Sequence, residues 1–198
     1  MLMNMLRFFF FFTASLLPLS AGDYFAVYDK TFVAEKILPL AAAAYYDQPE
    51  KCTKTKLNGA TVAKRVDVKC DVLFSTCCGF VSLSPSDQAI IISFRGTNNP
   101  NQLVLESVET FLLRKKRYGG GGQVSSYFYN AYRAPWDAGL KEAFLALVKE
   151  NPSYSLWITG HSLGGAMAAL AAGEIVKGGL FLAEKTLLVT FGQPRTGD

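Results

Sequence analysis

Residues 156–170 read LWITGHSLGGAMAAL, and the order of residue types along them decides the fold. Leu156–Thr159 is a β-type apolar run. Gly160 and Gly164 bracket a corner that holds His161 and Ser162, and the small residues after it favour helix. A strand that turns at once into a helix is half of a strand–helix–strand unit, and the same alternation surrounds it. Upstream, Ala89–Phe94 (AIIISF) is almost wholly apolar and suits a strand buried on both faces. Between the two, Leu140, Phe144, Leu147 and Val148 fall on one face of a helix. Downstream, Gly178 and Gly179 stop the small-residue helix, and EKTLLVTFG (184–192) supplies a further strand. From residue 89 onward the pattern predicts an α/β fold with a mainly parallel sheet flanked by helices.

The rest of the chain is less regular. YDKTFVAEKILPLAAAAYYD (28–47) has the spacing of one or two helices interrupted by Pro39. The cysteine-containing window that follows mixes turns and polar residues. Short β runs appear at 72–74 (VLF) and 79–83 (GFVSL), while QLVLESVETFL (102–112) fits helix or strand. RKKRYGGGG (114–122) reads as a flexible surface loop, because four glycines hold regular structure at high entropic cost.

Within GHSLG (160–164) each residue type has a chemical reason. A serine at a sharp strand-to-helix corner is held strained with its hydroxyl exposed, which makes Ser162 a candidate nucleophile. Gly160 and Gly164 keep side chains out of the bend. The helix opening at Leu163 presents unpaired N–H groups and a positive dipole end to any oxyanion formed there. A random G-x-S-x-G turns up in roughly 5–10% of chains of this length, so the strand and helix around it carry the reading, not the motif itself. At SFRGT (93–97) a buried strand ends with Thr97, which offers both an N–H and a hydroxyl. Thr97 and Leu163 are the candidate oxyanion-hole donors.

Half of the 198 residues are hydrophobic and 18% are charged, as expected for one compact domain. Residues 1–22 stand apart: one cationic residue (Arg7), an apolar block from Phe8 to Leu19 containing Pro18, then Ser20, Ala21 and Gly22. This is the order of a cleaved secretory signal peptide, too short for the roughly 20 residues of a span. The expectation is a secreted protein of residues 23–198 with no transmembrane segment after signal removal. Loss of Arg7 lowers the net charge from +4 to +3, which gives no reason to expect a nucleic-acid partner. Cys52, Cys70, Cys77 and Cys78 suggest two disulfides in an oxidising compartment, with Cys77 and Cys78 each reaching back to Cys52 or Cys70. Their spacing does not match a zinc site, and neither a metal nor a cofactor is expected.

SFRGT, YSLWITGHSLGGAMAALAA and VTFGQPRTGD occur in an order and spacing that resemble the class 3 lipases, the fungal-lipase-like branch of the α/β-hydrolases. ILPLAAAAYYD followed by a cysteine is similar to secreted nematode members. The resemblance runs from about residue 24 to the end. It implies the α/β-hydrolase fold, ending here after the strand that follows the nucleophile helix. It also implies hydrolysis of acylglycerols or other ester lipids, a lipid interface among the places of action, through an acyl-enzyme on Ser162 in lipid metabolism. By the same resemblance Thr97 and Leu163 supply the oxyanion hole, and the segment after Thr97 occupies the place of a lid.

One part of the family pattern is missing. The triad aspartate and histidine of the class lie beyond GQPRxGD, and Asp198 is the last letter of that motif, expected to be a structural loop carboxylate. His161, the single histidine, is a poor substitute for a base, because its side chain leaves the corner in another direction than that of Ser162. The expectation is therefore a partial lipase domain with little or no activity as it stands. The alternative is a secreted lipid-binding protein that catalyses nothing.

Overall fold

The computed structural model describes residues 28–70, 76–97 and 114–198. The expected signal peptide, the VLF run and the 102–112 segment lie outside the described residues. The first helical run, α1, begins as a short α turn (Lys30–Phe32), widens to π over Val33–Ile37 and returns to α over Leu38–Ala43. Pro39 lies just after the π segment, inside the helical run that it is expected to interrupt. After α2 (Glu50–Lys56) come the strands β1 (Thr61–Lys69), β2 (Thr76–Ser84) and β3 (Ala89–Phe94). A small hairpin, β4 (Lys115–Arg117) and β5 (Gln123–Ser125), leads into α3 (Ser126–Pro135). A π turn over Trp136–Leu140 joins α3 to α4 (Lys141–Glu150), and Gly139 at φ 123° makes the kink there. Then follow β6 (Ser155–His161), α5 (Leu163–Lys177) and β7 (Thr186–Phe191).

The five-stranded sheet has the order β1-β2-β3-β6-β7. Within this sheet the strands from residue 89 onward are parallel, β3 to β6 and β6 to β7, as the alternation predicts. The earlier half is antiparallel, β1 to β2 and β2 to β3. Helices cover both faces. On one, Ile90, Ile92, Phe94, Leu156 and Ile158 pack against Phe128, Tyr132, Trp136 and Phe144 of α3–α4 and against Met167 and Ile175 of α5. On the other, Phe80, Ile91 and Trp157 pack against Ile37, Leu40 and Leu57. All six residues of β3 are buried, so its near-continuous apolar sequence follows from having helices above and below. Among the described residues, no helix is long and apolar enough to cross a membrane.

Three expectations need correction. The polar window after residue 50 contains a helix and the nine-residue strand β1, in which charged residues alternate with Val62, Val66 and Val68 across a bulge at Val62–Lys64. The loop expected at 114–122 is a β-hairpin: Lys115–Arg117 pairs with Gln123–Ser125 and only the glycines form its turn. Among the described residues one disulfide joins Cys70 to Cys77 (Cα–Cα 5.6 Å), and Cys52 and Cys78 are free thiols, so two bridges do not form. The reason is the alternation of a strand. Cys77 and Cys78 leave β2 by opposite faces. Cys77 meets Cys70 just past the end of β1, whereas Cys78 is buried near the charges of Arg65, Asp67 and Arg95, and the Cys52 thiol points at the Pro39 carbonyl (3.5 Å).

Candidate active site

Register brings the candidate residues together. In the parallel pair β3–β6, Phe94 lies opposite Gly160, so both strands leave the sheet at the same level. Arg95–Gly96–Thr97 therefore exits beside His161–Ser162–Leu163. Ser162 has φ 55° and ψ −122°, a positive-φ conformation that a residue with a Cβ adopts only under strain, and it forms the N-cap of α5. Its N–H donates to the Phe191 carbonyl at the end of the edge strand β7 (2.9 Å), so the helix N–H groups that open toward the corner begin at Leu163.

Two glycines permit this geometry. A Cβ on Gly160 would collide with the Gly164 carbonyl, and one on Gly164 would collide with the Phe94 carbonyl and lie 2.8 Å from the Arg95 carbonyl carbon. The first turn of α5 thus rests directly on the backbone of both strands. Leu163 is buried and Thr97 half-buried.

Arg95 braces the strand exit. Its side chain is 5% exposed and donates to Asp67 (3.1 Å), to the Thr76 carbonyl and to the Thr76 hydroxyl (both 2.7 Å). Burial pushes the Asp67 carboxyl up, but the Thr76 hydroxyl and the Arg95 and Arg65 guanidiniums outweigh it and hold the group below the usual carboxylate range.

His161 is engaged from the α1 side of the sheet. It continues the side of β6 that carries Trp157 and Thr159, toward α1, and its Nδ1 shares a 2.8 Å hydrogen bond with the Tyr45 hydroxyl. Its ring lines an open, mainly apolar groove of about 320 Å³ with Leu38, Ala41, Tyr45, Tyr46 and Phe191. Asp198 is likewise committed elsewhere: it accepts from the Gln123 N–H (2.6 Å) and pairs with Lys115 (3.3 Å), tying the end of the GQPRTGD motif to the β4–β5 hairpin. The backbone hydrogen bond from Gln123, against desolvation and with help from Lys115, holds its carboxyl below the usual range.

A sequence model of the family described as Lipase (class 3) matches residues 91–198, the span that carries the Arg95–Thr97 exit, the GHSLG corner and Asp198. The chain belongs to the class 3 lipase family. Among its relatives, Lipase ZK262.3 of Caenorhabditis elegans is 35% identical over 180 residues, which is 89% of this chain and 50% of that one. Secreted mono- and diacylglycerol lipase A of Penicillium cyclopium is 26% identical over 171 residues, 80% of this chain and 53% of the relative. The crystal structure of the lipase from Rhizopus microsporus var. chinensis has the same α/β-hydrolase fold: TM-score 0.72 at 22% identity, covering 86% of this chain and 61% of that one. The chain spans about half the length of the curated relatives it matches.

Two residues of this class 3 lipase corner escape a reading of the sequence. Tyr45 lies 116 positions from His161, and nothing in AAAAYYD marks one tyrosine as a site residue. Gly96 reads as an ordinary strand-end glycine, yet a Cβ there would collide with the Tyr45 hydroxyl and lie 2.6 Å from the His161 carbonyl.

Proposed function

We propose that these residues carry the nucleophile and oxyanion donors of a secreted serine hydrolase of carboxylic esters, with acylglycerols as the substrate class. The observation that supports the reading is the strained Ser162 backbone at a strand–helix corner, next to the strand exit that leads to Thr97. In the proposed step the Ser162 Oγ attacks the ester carbonyl carbon and loses its proton to a general base. The carbonyl oxygen becomes an oxyanion that accepts from the Leu163 N–H and from Thr97. Collapse expels the alcohol, which takes up the proton, and leaves an acyl-enzyme for water to hydrolyse. The naming of the Penicillium relative supports acylglycerols and secretion, as does the signal-like order of residues 1–22.

The base is proposed to come from outside these 198 residues. They contain a single histidine, and its Nδ1 is engaged by Tyr45 on the α1 side of the sheet. That withdrawal also favours a second reading, a lipid-binding protein without turnover. Labelling by a fluorophosphonate separates the two, together with hydrolysis of p-nitrophenyl butyrate. The 198-residue protein is expected to label slowly at Ser162, lose the label in Ser162→Ala, and turn over esters far below an intact triad enzyme. Labelling at the rate of an active serine hydrolase would overturn the assignment of the base. Acyl-chain binding with no label at Ser162, in this chain or in any longer form, would replace the enzyme reading with the second one.

A further inference from the structure

Three backbone segments meet around one phenol. Tyr45 lies just past the end of α1, Gly96 just past the end of β3, and His161 at the end of β6. The Tyr45 hydroxyl is 2.8 Å from the His161 Nδ1, and the Gly96 Cα is packed against the same hydroxyl and against the His161 carbonyl so closely that no Cβ fits. His161 immediately precedes Ser162, and Gly96 immediately precedes Thr97. Burial pushes the Tyr45 phenol up, opposed by a hydrogen bond from the Gly96 N–H and by the Arg95 charge, so it stays neutral at physiological pH.

We infer that Tyr45 is a positioning residue, whose hydroxyl pins the strand exit before Thr97 to the residue before Ser162 and so fixes the distance between nucleophile and oxyanion donors. Its inferred action is on that distance and not on the reacting atoms. The hydroxyl and the Nδ1 share one hydrogen bond, and which of them donates depends on the tautomer of the ring. In this arrangement the histidine of GHSLG holds geometry. The inference rests on the reading of Ser162 and Thr97 given above.

The test compares wild type with Tyr45→Phe, which keeps the ring and removes the bridge. A misplacement on the ångström scale costs roughly one to two powers of ten in rate, so Y45F is expected to slow fluorophosphonate labelling of Ser162 roughly tenfold with little change in Tm. His161 is the single histidine, so ¹⁵N-histidine NMR reads one ring. Loss of the bridge in Y45F should move the Nδ1 resonance. Conservative rescue adds a second comparison: His161→Asn can present an oxygen where Nδ1 was and should label faster than His161→Leu. This pair also serves if Y45F loses its cooperative melt. Labelling of Y45F within about twofold of wild type, an unmoved ring spectrum, or equal rates for H161N and H161L would each overturn the inference. If wild type labels at Ser162 and Y45F labels equally fast, this inference alone falls. If Ser162 takes no label in any form, the reading beneath it falls as well.

Discussion

Ser162 stores strain at the place where chemistry is proposed. At φ 55° and ψ −122° its Cβ crowds the backbone, and a conformation of this kind costs on the order of 1–3 kcal/mol that the surrounding contacts must hold. Those contacts are the bond to the Phe191 carbonyl and the fit of Gly160 and Gly164 against neighbouring backbone. Ser162→Gly should therefore stabilise the fold by about 1 kcal/mol while abolishing labelling, and Ser162→Ala should abolish labelling without that gain. Chemical denaturation of the three proteins decides it: equal midpoints for S162G and S162A would remove the claim of strain. The corner is legible in the sequence because its constraints are local, with glycines two residues to either side and a helix that starts at once. Tyr45 is not, because a hydrogen bond across 116 positions leaves no spacing or periodicity to read.

At the scale of elements, the β4–β5 hairpin shows how composition misleads. Four consecutive glycines predict a mobile loop, but only the turn uses their freedom, with Gly121 and Gly122 at φ 109° and 70°. The flanks are fixed by long-range contacts: Lys115 to Asp198, Lys116 over the Tyr129 ring at 3.9 Å, and the Tyr118 hydroxyl donating to the Leu170 carbonyl of α5. Strand β1 is hidden for a related reason. Its charged residues Arg65 and Asp67 share a face with each other and pair with Arg95 or Asp47, so a chemically polar segment forms a sheet edge. The hairpin's anchor can be tested directly. Burial, then the Glu174 charge, raises the Tyr118 phenol well above its ordinary value, so it remains a donor across neutral pH. Tyr118→Phe should cost about 1 kcal/mol, a fall of about 2–4 °C in Tm for a chain of this size. Gly173→Ala places a Cβ 2.5 Å from the same hydroxyl, and should cost less in the Y118F background than alone. Strictly additive melting shifts across the four proteins would show that hairpin and helix are not coupled there.

Over the whole molecule, the antiparallel and parallel halves of the sheet meet at β3, and Arg95 at its end ties them together. Through Asp67 and Thr76 it joins β1 and β2 to the exit that carries Gly96 and Thr97, so the stability of the early strands is linked to the proposed oxyanion site. The link has a pH dependence whose sign is fixed. Thr76, Arg95 and Arg65 overcome the effect of burial and depress the Asp67 carboxyl in the folded state, while in the unfolded chain it returns to about 3.9. A depressed carboxylate contributes stability that is fully present above the unfolded value and is lost as pH falls through the folded value. Asp67→Asn should therefore be less stable than wild type at neutral pH, and the gap should close as the pH is lowered below about 4. The Asp67 side chain is 26% exposed while that of Arg95 is 5% exposed, so salt should trim the gap without erasing it. Urea midpoints of both proteins from about pH 7 to about pH 2, a range that brackets the unfolded carboxylate value, give the answer. Two curves that stay parallel into acid would mean that Asp67 holds Arg95 by shape alone and that its charge does nothing for the brace.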